Sequence, residues 1–294
     1  MHGALLLATA MATRTRTIRI GFSVLVLPLY QPIRLAEENA TLDLLSGGRV
    51  DFGISRGSTG RYFEAWGLDH ADRTTSFRET LDMVLRCWTE PTIDVAGVQE
   101  SVEPKPVQRP HPPVYVAAYG EETAAWVGSA GYRLMQGGIQ SPDSLGRCLR
   151  AFADAGGDVA TAPVGRIIYA SETDASARRE VWPALLQLTA HFRRGGFQLA
   201  RNLATSEQLE PDRWFDEMAI IGSPETCARK IAELRDTIGI GYVNCQTAFW
   251  SLLPEEHMRS SLELLASEVL PRLNGAGRTP TSHDGVLSPS GAEC

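Results

Sequence analysis

Apolar positions along this chain switch repeatedly between a helical period and short, densely apolar runs bounded by glycine and proline. Residues 4–13 form an apolar stretch that reads as a buried helix. Residues 17–26, with Ile18, Ile20, Phe22 and Val24, read as an interior strand that Leu27-Pro28 ends. Behind Gln31-Pro32, the positions Ile33, Ala36, Ala40 and Leu44 recur at helical spacing, which predicts a helix to about Leu45. Val50 to Ile54 follows as a short strand, and Phe77, Leu81, Val84, Leu85 and Trp88 mark one side of a longer helix from Arg73 to Trp88. Residues Thr92 to Pro104 look like an irregular excursion or a hairpin. The prolines from Pro104 to Pro113 then enforce an extended lead-in.

The alternation continues to the end of the patterned region. Strands are predicted at 114–118, 132–136, 164–170 and 242–245, with helices at 121–130, 141–155, 173–189 and 254–270. A further helix begins at Ile221-Gly222-Ser223-Pro224-Glu225, with Ser223 as its N-cap and Pro224 in its first turn, and Gly239 ends it. A polar segment from His191 to Pro211 breaks the rhythm and is expected to be a mobile insertion. Strands alternating with helices imply an α/β fold with a parallel sheet of about six strand–helix units. Residues 1–273 are assigned to one domain, and the Gly/Ser/Thr/Pro-rich residues 274–294 to a disordered tail.

One stretch carries more information than its neighbours: Leu42 to Gly57. Asp43 and Ser46 close a helix, and Gly47-Gly48 supply the positive φ of its C-terminal turn. Ser55-Arg56-Gly57 then lies at the carboxyl end of a strand, where α/β folds place their ligands. A guanidinium there suits an anion such as a phosphate; the alternative is an ordinary surface arginine in a βα loop.

Composition narrows the function classes. A net charge of -7 with no Lys/Arg block speaks against non-specific nucleic-acid binding. The five cysteines are scattered and none has metal-ligand spacing, so a reduced, cytoplasmic protein without a metal site is expected. No stretch approaches the length of a membrane span, and the apolar start lacks the basic flank of a signal peptide. The histidines show no metal spacing, and His111 reads as a loop residue. Arg49 reads as structural, pairing with acids such as Asp43 or Glu37, and Trp66 as a core residue.

The motifs taken together resemble a known family. Ile20-Gly21, Val26-Leu27-Pro28, Gln31-Pro32, Ala36-Glu37-Glu38, Leu45-Ser46-Gly47-Gly48-Arg49 and Gly53-Ile54-Ser55-Arg56-Gly57 occur in the order found in the bacterial luciferase-like flavin-dependent monooxygenases. Phe63-Glu64-Ala65-Trp66-Gly67, Pro104-Lys105-Pro106-Val107-Gln108, Pro112-Pro113-Val114-Tyr115-Val116-Ala117 and Ile221-Gly222-Ser223-Pro224-Glu225 extend the likeness over nearly the whole chain except the tail. The resemblance implies a TIM (β/α)₈ barrel, a homodimer, and reduced FMN bound at the carboxyl ends of the strands. In some branches of the family the deazaflavin F420 takes that place.

Carried over by position, Arg56 resembles the guanidinium that meets the flavin phosphate, and Arg73 a second one. The turn at Ala118, Tyr119, Gly120 and Thr123 resembles the phosphate-cradling loop at a helix start, with Thr123 as the hydroxyl; Glu121 and Glu122 beside a phosphate depart from that role. Relatives carry carboxylate and serine side chains at the positions of Tyr119 and Gly120, so only backbone groups can serve here. Ser55 falls where some luciferases carry a reactive cysteine. The Ser23-Val24 bond falls where the family has a non-prolyl cis peptide under the flavin ring.

Relatives also begin with two further strands, the second ending in a Glu-His-His-type motif. The chain as given starts after that point, so a barrel truncated at its N-terminus is expected, with the catalytic residue unassigned. The implied activity is oxidation of a small organic substrate by O₂ at reduced FMN, with a flavin reductase as supplier. F420-dependent hydride transfer and a non-catalytic partner subunit are the alternatives.

Overall fold

The computed structural model describes residues 3–193 and 209–274. The predicted tail from 275 onward and most of the predicted insertion lie outside these residues. Helix α1 (Ala4–Arg14) leads into two short strands, β1 (Ile20–Gly21) and β2 (Leu25–Val26), followed by α2 (Pro32–Ser46) and β3 (Val50–Ser55). Next come α3 (Gly60–Ala65), α4 (Arg73–Thr89), the hairpin strands β4 (Ile93–Val95) and β5 (Val98–Glu100), and β6 (Val114–Ala117). Then follow α5 (Glu121–Ser129), β7 (Arg133–Met135), α6 (Pro142–Asp154), β8 (Pro163–Ala170) and α7 (Asp174–Arg193). The chain closes with β9 (Ala219–Gly222), α8 (Pro224–Ile238), β10 (Tyr242–Gln246) and α9 (Glu255–Leu264), whose helical path continues to Asn274.

All strands except the β4–β5 hairpin pair in parallel. β1 and β2 both lie along β3, then β6 and β7 follow. A single bridge, Gln136 to Val164, carries the order on to β8, which has β10 on its other side. This is the parallel α/β layout of a TIM-type barrel wall.

Strand parity sorts the side chains. Val50, Phe52 and Ile54 of β3, Val114 and Val116 of β6, and Leu134 of β7 face the helices and form one buried cluster with α2, α4, α5 and α6. The indole of Trp88 donates to the carbonyl of Ala36 at 3.0 Å, which ties α4 to α2. Two smaller clusters lie on the opposite faces of β8 and β9, one against α7 and one against α8 and the last helix.

Several helix ends follow from local sequence. Gln31 caps α2 by accepting from the Arg34 N–H at 2.6 Å, with Pro32 in the first turn. Gly47 and Gly48 both have positive φ, at 69° and 80°, as the helix-ending turn requires. Ser223 caps α8. Its backbone N–H also donates to Asp174 at the start of α7, and the Thr226 hydroxyl donates to the same carboxylate at 3.0 Å.

These bonds hold the Asp174 carboxyl below its ordinary range, the Ser223 N–H first. Stability from this group is therefore present above the unfolded carboxylate pKa and is lost as pH falls through the folded one. Asp174→Ala should cost about 1 kcal/mol at pH 7, discounted for exposure, and less at about pH 3, where protonation has begun to remove the contribution. Urea midpoints at the two pH values check this; an equal loss at both would contradict it.

Five expectations need correction. The predicted strand at 17–26 is two strands separated by Phe22, Ser23 and Val24, because the chain bulges there. Ala219–Gly222, for which no strand was predicted, is a strand beside the carboxyl half of β8, directly before the expected Ser223 cap. Helix α1 is only half-buried: Ala8 and Ala12 are covered, while Leu6, Leu7 and Met11 are exposed. Trp66 is 54% exposed and is not a core residue.

Arg49 is structural but meets no acid among the described residues. It donates to the carbonyls of Ser46 (2.6 Å), Ile18 (2.6 Å), Ala12 (3.0 Å) and Thr15 (3.1 Å), and to the Thr15 hydroxyl (3.0 Å). Asp43 instead accepts the backbone N–H and side-chain amide of Gln108.

Candidate flavin site at the carboxyl ends of the strands

The site is built on the contact between the bulge and β3. Gly53 sits opposite the bulge, and a Cβ there would lie 1.6 Å from the Phe22 carbonyl oxygen. Only glycine allows this approach. The Ser23-Val24 bond within the bulge is cis, as the resemblance implied. Ser23 is exposed, and its hydroxyl accepts from the Asn244 amide of β10 at 3.4 Å.

Two rungs on, Val26 pairs with Ser55, which places the bulge beside the start of the Arg56 loop. Gly57 has φ 83°, and a Cβ on it would meet Val26 at 2.7 Å and the Phe63 ring at 2.9 Å. The loop therefore turns tightly and directs Arg56 toward the start of α4, where its guanidinium donates to the Thr74 hydroxyl at 3.3 Å.

Arg56 and Thr123 line one cavity of about 100 Å³, together with Thr74, Arg78, Glu122 and Trp126. Burial lowers the pKa of Arg56, and the nearby positive charge of Arg73 lowers it further, while Glu122 acts in the opposite sense. The guanidinium of Arg73 thus repels that of Arg56, and the carboxylate of Glu122 offsets part of this at the cavity. Arg73 also donates to the carbonyl of His70 at 2.8 Å. His70 is pushed toward its neutral form, first by burial and then by Arg73, and its Nε2 is buried without a partner among the described residues.

Helix α5 starts at the cavity with Gly120 as its N-cap, and no side chain accepts from its first N–H groups. The free N–H groups and the positive end of the dipole favour an anion. Paired arginines, threonine hydroxyls and an uncapped helix start together fit a phosphate group. The structure thus brings the sequence-predicted Arg56 and Thr123 into one cavity, with Gly120 at the N-cap of the helix that carries Thr123, while Arg73 lies near Arg56 but is bonded to the His70 carbonyl.

Ala118 and Tyr119 are placed differently. Ala118 is buried, and its N–H is committed to the Met135 carbonyl at 3.2 Å. Tyr119 turns its phenol toward Gly137, where a Cβ would meet the hydroxyl oxygen at 2.1 Å; burial raises the phenol pKa. Its hydroxyl lies above the end of β7, away from the helix start. Ser55 is half-buried on the same face of β3 as Gly53. Gln246, whose Oε1 is buried without a partner among the described residues, stands close to Gly138.

Sequence reasoning missed Thr74, Arg78 and Trp126. A signal existed: Thr74 and Arg78 are one helical turn apart on α4, and Trp126 follows Thr123 at helical spacing. The guanidinium of Arg78 lies 5.2 Å from the centre of the Trp126 ring, so the two form one wall. A second, apolar cleft of about 600 Å³ lies between the end of α7 and the turn after β10, lined by Leu186, His191, Phe192, Trp250 and Leu252.

The luciferase-like monooxygenase family model matches residues 2–240. The chain belongs to this family. It is 29% identical to the 4-hydroxyprotoasukamycin monooxygenase of Streptomyces nodosus subsp. asukaensis, over 98% of this chain and 80% of that one.

Among solved structures, the oxygenating constituent of 3,6-diketocamphane monooxygenase from Pseudomonas putida, in complex with FMN, superposes with a TM-score of 0.74. That match has 21% identity and covers 91% of this chain and 83% of that one. The coenzyme F420-dependent tetrahydromethanopterin reductase of Methanopyrus kandleri superposes at 0.68 with 17% identity, covering 92% and 88%. The fold is that of the luciferase-like TIM barrels, and the family is one of oxidoreductases that use a flavin or deazaflavin. No described helix is long and apolar enough to cross a membrane.

Proposed function

We propose that this luciferase-like family member is a flavin-dependent monooxygenase that uses reduced FMN and O₂ to oxidise a small organic substrate. The observation that carries the reading is the cavity in which Arg56 and Arg78 meet Thr123 at the uncapped start of α5, with the charge of Arg73 close to Arg56. These groups would hold the phosphate end, while the Ser23-Val24 bulge and Ser55 would support the ring. Bound reduced FMN would supply the electrons for O₂ activation.

The protein's part is to bind, orient and exclude water. Tyr119 packs against the apolar cluster that contains Phe192 and Phe249, which links the mouth above β7 to the walls of the apolar cleft. This supports an apolar substrate. A separate flavin reductase would deliver the reduced cofactor. The exposed Leu6, Leu7 and Met11 of α1 and Leu44 and Leu45 of α2 support pairing of two copies through these helices. The free thiols of Cys87, Cys148, Cys227 and Cys245 support a cytoplasmic setting.

Anaerobic titration with FMN and with F420, followed by fluorescence quenching, tests the cofactor reading. Saturable FMN binding is expected, weakened about tenfold to a hundredfold by Arg56→Ala, the loss of one charge-assisted contact. Binding of F420 with none of FMN would move the assignment to hydride transfer. Binding of neither by the folded protein would favour a non-catalytic partner.

A further inference from the structure

The phosphate end of the site contains a group of the wrong sign. Glu122 lines the same small cavity as Arg56 and Thr123, in the first turn of α5. Its neighbour Glu121 is committed elsewhere, to Arg147 at 3.0 Å on the surface. Glu122 forms no hydrogen bond or ion pair among the described residues, yet its charge acts on the Arg56 guanidinium against the combined effect of burial and Arg73. In the absence of a ligand, the carboxylate is therefore the partial counter-charge of Arg56 and a favourable charge at a helix start. Both advantages reverse when a phosphate enters, because the phosphate takes over the same donors and meets a like charge in a partly dehydrated cavity.

We propose that Glu122 is a specificity-determining residue that keeps the phosphate subsite weak for a doubly charged phosphate, so that the flavin exchanges with solution instead of remaining bound. The inference rests on the cofactor reading above and deepens it. Glu122 sets how much the site gains from the phosphate of FMN over the bare hydroxyl of riboflavin. It does not alter the contacts of the ring, which lie at the Ser23-Val24 bulge. A protein that receives reduced FMN from a separate reductase needs such release.

The test compares Glu122→Gln, which keeps the shape and removes the charge, with the wild type and with Glu121→Gln. Anaerobic fluorescence titrations use FMN and riboflavin, and calorimetry uses inorganic phosphate. Glu122→Gln is expected to bind FMN and inorganic phosphate about tenfold more tightly, with a slower FMN off-rate, and riboflavin unchanged. Glu121→Gln is expected to match the wild type, since its carboxylate faces Arg147.

FMN affinity that is unchanged or weaker in Glu122→Gln would overturn the proposal, as would an equal gain for riboflavin. Failure of the cofactor reading looks different. In that case neither flavin binds the wild type, and the phosphate titration alone decides: tighter phosphate in Glu122→Gln upholds the role of Glu122, and unchanged phosphate ends it.

Discussion

Gly53→Ala is expected to destabilise the protein by more than about 4 kcal/mol, and to abolish flavin binding in whatever folded fraction survives. The added methyl would sit 1.6 Å from the Phe22 carbonyl oxygen, far inside any tolerable contact. Neither side can yield cheaply. β3 is held by β1 and β2 on one edge and by β6 on the other, with Gly53 paired to Tyr115. Phe22 is buried and donates its N–H to the Asp51 carbonyl at 3.3 Å. Relief requires the bulge to move away from β3, which removes the surface proposed for the flavin ring. Chemical denaturation combined with FMN titration checks both halves. A variant within about 1 kcal/mol of wild type would show that the bulge is free to shift.

Arg49→Ala is expected to cost about 3 kcal/mol, the effect of removing a charged donor group from several partly buried carbonyls at once. The side chain gathers the last carbonyls of α1, the approach to β1 and the end of α2 around one planar fork. Helix α1 buries only Ala8 and Ala12 fully, with Ala4 and Leu5 packed against the core in part, so the Arg49 fork adds substantially to its docking. Hydrogen exchange should therefore show α1 released before the remaining helices, and Arg49→Lys should recover only part of the loss because an ammonium cannot bridge the same spread of acceptors. Undiminished protection of α1 in the alanine variant would refute this account.

What the sequence made legible depended on distance along the chain. The end of α2 at Gly47-Gly48, the start at Gln31-Pro32 and the Ser223-Pro224 cap are local events, and the residues that cause them lie within one turn of their effects. The alternation of strands and helices is equally local, and Arg56 could be placed because it follows a strand directly. The split of the predicted strand at 17–26 could not be read, because its cause is the approach of Phe22 to Gly53 on a different strand. Arg49 was expected to seek an acid, yet its partners are carbonyls left open at helix and strand ends. Arg78 and Trp126 needed the packing of α4 on α5 before they could be seen as one wall. The resemblance supplied the positions of Arg73, Thr123 and Ser23-Val24 where the residues alone could not.

The bond from the Asn244 amide to the Ser23 hydroxyl spans 221 positions of sequence. The donors proposed for the phosphate, by contrast, all fall between Arg56 and Thr123. Closing the larger loop costs more chain entropy and must wait for β8 and β10 to pair. On this ground the phosphate end of the pocket is expected to form before the ring end during folding. An anion could already be held by an early, half-assembled chain, whereas a bound ring would report that the last strand has arrived.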